Sequence, residues 1–538
     1  MKRTAAGVIE VAILSALILC TRGANYQDVF VGGRIYFLDS DCYARMERAA
    51  IVAAHPGAVV RRHEFENYPA GTRPHTTAPL DYLIVALAAT LALFTAQPLD
   101  LAGAIIAPLL ALAGGWFLWW WARQMPAVAR YGALLTYALS AILAHGTALG
   151  RPDQQALLII LLMIALAAEW RLQQDTNAPA AHVNPAPLGE YECAASGEKD
   201  SRVGWSIVSG AAWGLALWVS LYEPLILLAA LLVGTAMTSR AQLVAGSRRI
   251  GWLIFLAIIL VAGLIEWRWP EPPGWQPFFA NWSTTIGELR SVSLTSPIWL
   301  AWVGALLIIS PVSIAFAVKH RRMPLVFAGL VVLCLLLTTW EARWGYFFAI
   351  VFLLTIPAQL AIVRQKWLAV SLLALSLLPL LQFWDGRIWP GEEAILRRAT
   401  GRREAMEWRA AATSLGGRAW GAVLAPWWLA PATAYWSGRP VVGGSSHESL
   451  PGIVDTARFF LATSAAEARQ ILERHGVQWV LVADGERVGE NSAAILGRPV
   501  PSDALCRILD RTPSQAPSFL VLRKQNDACK TYEFRDFR

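Results

Sequence analysis

Residues 39–45 read Asp-Ser-Asp-Cys-Tyr-Ala-Arg and follow the first apolar segment of the chain, residues 5–20. Two carboxylates, an aromatic residue and an arginine are unusual together in a chain that is 56% hydrophobic. A polypeptide that leaves a membrane first meets water here, so Asp39 and Asp41 are suited to hold a divalent cation against a phosphate group. The simpler interpretation is a solvated helix N-terminus with Asp39 or Ser40 as its cap.

The composition predicts a polytopic membrane protein. The chain has 538 residues, a mean hydropathy of +0.44, 16% charged residues and 26 Trp, which is too apolar for one soluble core. The first segment resembles a signal peptide, but it contains Glu10 and lacks a clear cleavage site, so we interpret it as a retained span. No basic run interleaved with aromatic residues occurs, so the net charge of +8 does not indicate a nucleic-acid partner.

Apolar runs of nearly spanning length recur along the chain. They lie near 5–22, 101–121, 128–147, 155–170, 205–221, 224–238, 251–267, 297–317, 324–340, 344–362 and 367–384.

A further apolar run, 79–97, is assigned by the positive-inside rule. If it does not cross the membrane, the basic residues between the other runs all fall on one face. These are Lys2, Arg3, Arg123, Arg130, Arg240, Arg248, Arg249, Lys319, Arg321, Arg322, Arg364 and Lys366. We therefore predict a helix within the outer leaflet and about 11 transmembrane helices in total.

This topology divides the chain into two domains. A transmembrane domain covers 1–384, with a first external loop at 23–100 and a long external loop at 268–296. Residues 385–538 are predicted to form a small extracytoplasmic α/β domain. Its predicted strands are 419–424, 477–482 and 519–522, and its amphipathic helix is 465–475.

The six cysteines lack the spacing of a zinc site. Cys506 and Cys529 both fall in the C-terminal domain. They form a disulfide if that domain lies in an oxidising compartment, and separate free thiols are the alternative.

Four groups of polar residues fall on the same predicted face. They are Asp39 with Asp41, Asp153 with Gln154 and Gln155, Thr285-Ile286-Gly287-Glu288, and Glu341-Ala342-Arg343. An isolated carboxylate at a span end is usually just solvated. Several on one face favour a Mg²⁺ or Mn²⁺ site, because hard cations prefer oxygen ligands. An arginine beside them suits a phosphate or pyrophosphate group.

The order of these motifs resembles that of GT-C glycosyltransferases, most closely the catalytic subunits of oligosaccharyltransferases. The matching segments are Asp41-Cys42-Tyr43-Ala44-Arg45, Asn67-Tyr68-Pro69-Ala70-Gly71, Ala78-Pro79-Leu80-Asp81-Tyr82, Gly150-Arg151-Pro152-Asp153-Gln154-Gln155, Thr285-Ile286-Gly287-Glu288, Ala342-Arg343-Trp344-Gly345-Tyr346 and Pro426-Trp427-Trp428-Leu429-Ala430. Each motif is short, and only their order along nearly the whole chain is persuasive.

The sequence departs from the family pattern at two positions. Gln155 stands where the family has a charged or imidazole metal ligand, and it offers only a neutral carbonyl oxygen. Leu429 replaces the Asp of a Trp-Trp-Asp motif, which in the family is implied to bind the hydroxyl of an Asn-x-Ser/Thr acceptor. An apolar side chain cannot accept that hydrogen bond.

The resemblance implies an inverting, metal-dependent transfer of a glycan from a polyprenyl phosphate or diphosphate donor to a protein, lipid or glycan acceptor outside the cytoplasm. It also implies an integral protein of the bacterial inner membrane. The implied catalytic residues are Asp41 and Glu288, the cation ligands Asp41, Asp153, Gln155 and Glu288, the donor-phosphate ligand Arg343, and the acceptor-binding residues Trp427 and Trp428.

Two other functions remain open. One is a GT-C transferase that moves a single sugar from a polyprenyl monophosphate to a lipid or glycan, which the loss of the acceptor-reading Asp at Leu429 would suit. The other is a non-catalytic relative, such as a transporter or assembly factor, for which Gln155 and Leu429 argue. The predicted spans contain few charged residues, which disfavours transport.

Overall fold

The computed structural model describes residues 2–174, 188–267, 276–415 and 421–535. Within them the α-helices are α1 (Lys2–Arg22), α2 (Tyr26–Val29), α3 (Ser40–Ala54), α4 (Ala78–Leu91), α5 (Pro98–Ala122), α6 (Ala127–Leu139), α7 (Ala141–Gly146), α8 (Gln154–Gln174), α9 (Leu188–Val219), α10 (Tyr222–Val244), α11 (Gly246–Glu266), α12 (Phe279–Ser283), α13 (Ile298–Val303), α14 (Leu306–Lys319), α15 (Leu325–Trp340), α16 (Gly345–Ala361), α17 (Lys366–Ile388), α18 (Glu392–Thr413), α19 (Ala430–Ser437), α20 (Leu450–Leu461), α21 (Ala465–Arg474), α22 (Gly485–Leu496) and α23 (Leu505–Arg511). The strands are β1 (Phe30–Val31), β2 (Arg34–Ile35), β3 (Ala422–Leu424), β4 (Val477–Val482), β5 (Leu520–Gln525) and β6 (Lys530–Phe534).

Long apolar helices dominate the first part of the chain. In the described residues, 6 helices are long and apolar enough to cross a membrane, namely α5, α8, α10, α11, α17 and Ala342–Ala361, which includes α16. Shorter apolar helices are α4, α14 and α15. These helices support an integral membrane protein, and the number of 11 spans stays a prediction.

Two of the predicted spans are pairs of helices. The run 128–147 breaks at Ser140, whose hydroxyl accepts the Leu143 N–H at 3.4 Å and caps α7. The run 297–317 breaks at Gly304, which has a φ of +85°. A Cβ there would lie 2.4 Å from the Ser376 carbonyl oxygen of α17, so this close approach requires glycine.

Helix α4 covers most of the apolar run 79–97, which was predicted to lie within the outer leaflet. Its 14 residues rise about 21 Å, which is short of the roughly 30 Å of hydrocarbon in a bilayer. Asp81, in its first turn, is fully buried and pairs with Arg45 at 2.7 Å and Arg48 at 2.6 Å, both from α3. This length and these ion pairs support a helix that stays on one side of the bilayer.

The C-terminal residues form a four-stranded sheet in the order β3-β4-β6-β5. Strands β3 and β4 are parallel, and β6 is antiparallel to both β4 and β5. The predicted strand 477–482 is β4, and the predicted strand 519–522 becomes the longer β5. Residues 416–420, which include the start of the predicted strand 419–424, lie outside the described residues.

The remaining C-terminal predictions have mixed outcomes. The predicted helix 465–475 is α21. Strand β6 was not predicted, because the sequence Lys-Thr-Tyr-Glu-Phe carries little apolar signal. Cys506 and Cys529 are both buried free thiols, so they are not paired with each other. The domain boundary at residue 385 stays a prediction.

Aromatic residues join the C-terminal part to the first external loop. Helix α19 packs against α3, and the Trp436 ring lies 5.0 Å from that of Tyr43 and 5.9 Å from that of Tyr36. The Tyr43 hydroxyl also accepts the Phe37 N–H at 3.1 Å. Edge-to-face contacts of this kind fix relative orientation. They hold residues 427–445 close to the start of α3.

Candidate active site

A cavity of about 1530 Å³ opens between the start of α3, residues 285–288, residues 342–346 and the segment 427–429. Five of the residues predicted to act in a site line it: Asp41, Glu288, Arg343, Trp427 and Trp428. Asp153 and Gln155 are buried, with 9% and 3% of their surface exposed. Among the residues that the structure describes, these two do not line the cavity. The cavity therefore contains residues from distant parts of the sequence.

The two aspartates at the start of α3 have different roles. Asp39 is the N-cap, and its carboxylate accepts the Cys42 N–H at 3.0 Å, as the simpler interpretation of this stretch predicts. Asp41 lies in the first turn, is exposed, and faces the cavity, which Ser445 also lines. Asp41 is thus the carboxylate available to a substrate.

Arg151 lies between carboxylates from three segments. Its guanidinium is 3.3 Å from the Asp39 carboxylate, 2.6 Å from that of Glu288 and 3.7 Å from that of Asp153. It is 5% exposed, and its Nη1 is 3.2 Å from His145 Nε2. The sequence analysis quoted this arginine within a motif but gave it no role. The only signal in the sequence was its position between Gly150 and Pro152, two residues before Asp153.

The pKa values of the aspartates reflect this crowding. The pKa of the Asp41 carboxyl is raised well above the usual range, although this carboxyl faces the cavity. The largest cause is loss of hydration among the surrounding protein atoms, followed by repulsion from Asp39 and Asp153. Burial also raises the pKa of Asp153, and Arg151 offsets only part of the increase. For Asp39, burial is outweighed by Arg151 and the Cys42 N–H, so its pKa lies below the usual value.

These residues fit a hard divalent cation in charge and in donor type. Asp41 is repelled by Asp39, Asp153 and Glu288, which interact with the guanidinium of Arg151. Arg343 also acts on Asp153 and Glu288. The Gln155 Oε1 atom is buried and has no hydrogen-bond partner. Carboxylate and amide oxygens are the ligands that Mg²⁺ and Mn²⁺ prefer.

The loop that carries Glu288 is anchored to the C-terminal part. Trp282 is buried, and its ring lies 5.7 Å from that of Trp427. The Asn281 amide donates to the Ile495 carbonyl at 3.3 Å. Glu288 also accepts the Tyr346 hydroxyl at 3.1 Å. Residues 268–275 of the predicted loop 268–296 lie outside the described residues.

Arg343 lies at the cavity wall but has a protein partner. Its Nη2 atom is 3.0 Å from the carboxylate of Glu223, which is 1% exposed and comes from the first turn of α10. The Ser220 hydroxyl donates to the other Glu223 oxygen at 2.7 Å. The guanidinium is therefore fixed at the cavity with part of its charge already neutralised.

The tryptophans of segment 427–429 are held by polar neighbours. Trp427 Nε1 donates to the Asn491 side chain at 2.8 Å, and the Arg487 guanidinium lies 5.4 Å from the Trp428 ring centre. Leu429 also lines the cavity. The position of the expected hydrogen-bond acceptor is thus apolar.

No family model and no curated protein matches the amino-acid sequence. Solved structures with the same fold are GT-C glycosyltransferases. The chain is similar to archaeal oligosaccharyltransferase AglB from Archaeoglobus fulgidus in complex with an inhibitory peptide and a dolichol-phosphate, with a TM-score of 0.64 and 14% identity over 92% of this chain and 71% of that one. An A. fulgidus oligosaccharyltransferase complex with Zn and sulfate gives a TM-score of 0.62 and 14% identity, over 97% of this chain and 73% of that one.

ArnT from Cupriavidus metallidurans bound to undecaprenyl phosphate is also similar. Its TM-score is 0.54 and its identity 13%, over 99% of this chain and 98% of that one. The resemblance predicted from the motif order is therefore confirmed for the fold: the chain has the GT-C architecture.

Proposed function

We propose that this protein is an inverting membrane glycosyltransferase that moves a sugar or glycan from a polyprenyl phosphate or diphosphate donor to an acceptor on the extracytoplasmic side of the bacterial inner membrane. One observation carries the proposal. Carboxylates from three segments meet at Arg151, beside a cavity that is also lined by Arg343 and by the open carboxylate of Asp41.

The fold and the cations of the cavity support the proposed donor class. Two proteins of this fold were solved with dolichol-phosphate and undecaprenyl phosphate, which supports a polyprenyl-linked donor. Arg343 is placed to pair with a phosphate oxygen at the cavity wall. The polyprenyl chain of such a donor remains in the bilayer while its sugar enters the cavity.

Asp41 is the proposed proton acceptor. The acceptor nucleophile forms a bond to the anomeric carbon as the bond from that carbon to the phosphate oxygen breaks, and the electron pair leaves with the phosphate. The proton of the nucleophile passes to Asp41, whose carboxylate faces the cavity. Arg151 holds Glu288 and Asp39 in place during the transfer.

The proposed cofactor is Mg²⁺ or Mn²⁺. Asp41, Asp153, Gln155 and Glu288 would hold it, and it would supply positive charge to offset the charge that develops on the departing phosphate oxygen.

Leu429 favours a second candidate function. Its side chain cannot accept the hydrogen bond by which an Asn-x-Ser/Thr acceptor would be read. A transferase that uses a polyprenyl monophosphate sugar and a lipid or glycan acceptor does not need that acceptor group. Under this alternative, Trp427 and Trp428 would pack against a lipid or glycan acceptor and not against a peptide acceptor.

The test uses the purified full-length protein with two fluorescent donors, a polyprenyl monophosphate sugar and a polyprenyl diphosphate glycan. Each donor is offered with a sequon peptide and with a glycan or lipid acceptor. Product in any combination, lost on treatment with a chelator and restored by Mg²⁺ or Mn²⁺, supports the proposal. Absence of product in every combination indicates a non-catalytic relative. Full activity after chelation would show that the reaction needs no divalent cation.

A further inference from the structure

Two histidines and a glutamate meet outside the carboxylate cluster. His75 Nδ1 is 2.9 Å from one Glu448 oxygen, and His447 Nδ1 is 3.5 Å from the other. One ligand atom from each residue lies within 4.8 Å of the others. Ligand atoms that share a tetrahedral zinc ion at about 2.0 Å are about 3.3 Å apart, so a small movement of these side chains would bring all three onto one ion.

The Glu448 oxygen that lies 3.5 Å from His447 Nδ1 makes no hydrogen bond. The Glu448 side chain is 2% exposed, and its Oε2 atom is buried without a hydrogen-bond partner. Its Oε1 atom, in contrast, accepts a hydrogen bond from the backbone N–H of His75 at 2.7 Å and lies 2.9 Å from Nδ1 of the same residue. A buried carboxylate oxygen without a partner is costly, and a cation bound between the two histidines would satisfy it.

Neighbouring residues orient the two imidazoles. Gln154 Nε2 lies 3.2 Å from His75 Nε2, so the far ring nitrogen has a polar contact while Nδ1 faces the glutamate. Because Gln154 Oε1 accepts from Arg45, Gln154 Nε2 is the donor to His75 Nε2, and zinc binding at Nδ1 would displace the proton that Nδ1 shares with Glu448. The His75 and His447 rings are stacked with centres 5.4 Å apart, and Phe279 packs edge-on against His447.

We propose that His75, His447 and Glu448 form a second cation site, which binds Zn²⁺ through two imidazole nitrogens and one carboxylate. Imidazole ligands favour zinc over Mg²⁺, so the two proposed sites select different metals. Water completes the coordination. The zinc site stands independently of the proposed reaction.

The site joins segments that surround the cavity. His75 belongs to the first external loop, and His447 and Glu448 follow Ser445, which lines the cavity together with Asp41. Phe279 belongs to the loop that carries Glu288. A zinc ion here would fix these three segments relative to one another and would hold Ser445 at the wall of the cavity.

The test measures metal content in the purified full-length protein. The protein is stripped with a chelator, loaded with Zn²⁺ alone, dialysed, and analysed by elemental mass spectrometry. We expect about one zinc ion per chain and a higher melting temperature after loading. Replacement of Zn²⁺ by Co²⁺ should give the visible absorption of a cobalt ion with nitrogen and oxygen ligands.

Glu448→Gln keeps the size of the side chain, and His447→Ala removes a ligand. Each should weaken zinc binding at least about tenfold and abolish the rise in melting temperature. His55→Ala, at an exposed histidine of the same loop, should retain the metal, and so should Asp41→Asn. The proposal is overturned if wild type retains no zinc, if both ligand variants retain it, or if Asp41→Asn alone loses it.

Discussion

At Arg151, one guanidinium neutralises carboxylates that come from three segments of the chain. Asp153 and Glu288 were predicted as partners of a metal ion, and a cationic side chain lies between them. The sequence does not reveal this, because an arginine beside a proline and an aspartate is a common surface pattern. The spatial relation to Glu288 depends on how α8 packs against α16.

The carboxylates Asp41 and Glu288 offer a direct test of catalysis. Asp41→Asn and Glu288→Gln should each reduce transfer by about 100-fold or more, because both remove charge at the reacting centre. The double variant should lose little more than either single one. Initial rates with the fluorescent donor measure this, with Asp503→Asn, at an exposed position, as the control. Full activity in Glu288→Gln would contradict its proposed role.

Replacing Arg151 tests its electrostatic role. Arg151→Gln leaves Asp39, Asp153 and Glu288 without their shared counter-charge, so we expect a stability loss of about 3 kcal/mol. Thermal unfolding in detergent measures the loss. Arg290→Gln changes an exposed arginine in the Glu288 loop and should have little effect. Equal melting temperatures for the two variants would show that the ion pairs at Arg151 contribute no stability.

The apolar runs in the sequence predicted where the helices lie, but they did not predict which helices are interrupted. Every predicted span coincides with a helix or a helix pair, because twenty apolar residues have few other ways to satisfy their backbone in a bilayer. The breaks at Ser140 and Gly304 depend on tertiary contacts with other helices. Hydrophobicity carries no information about such contacts.

The break at Gly304 can be tested by adding one methyl group. Gly304→Ala places a Cβ against the Ser376 carbonyl at a positive φ, so the melting temperature should fall. Gly329→Ala, in α15, meets no atom within 4 Å and should leave stability unchanged or raise it by about 0.5–1 kcal/mol. A Gly304→Ala protein as stable as wild type would mean that α13 and α14 need no glycine between them.

The sequence motifs and the structure agree on which residues lie close together, while the roles of these residues stay predictions. The motif order singled out Asp41, Glu288, Arg343, Trp427 and Trp428, which line one cavity. The cluster of His75, His447 and Glu448 went unnoticed because its members are far apart in the sequence and match no ligand spacing. Only packing of the first external loop against the segment before α20 brings them together.

For the whole molecule, the predicted topology places the cavity outside the cytoplasm. The positive-inside argument assigns the basic loops to one face and the first external loop to the other. Helix α4 has 14 residues and is shorter than the six long apolar helices, and the topology of this run stays a prediction. The sidedness can therefore be tested without any substrate.

Cysteine labelling measures the sidedness. In a background with Cys20 and Cys193 replaced by serine, Ala54→Cys in the first external loop should react with an impermeant maleimide in intact cells. His320→Cys, in a basic loop, should react only after permeabilisation. Both positions are exposed. The reverse pattern would invert the topology and move the cavity to the cytoplasmic side.

The ion pair between Arg343 and Glu223 bears on the end of a catalytic cycle. A guanidinium that is shared with an internal carboxylate attracts a phosphate less strongly than an unshared one. The same arginine that guides the donor would therefore release the spent polyprenyl phosphate readily. Under the proposed function, product inhibition would therefore be weak, and Glu223 would influence how long the used carrier lipid stays bound.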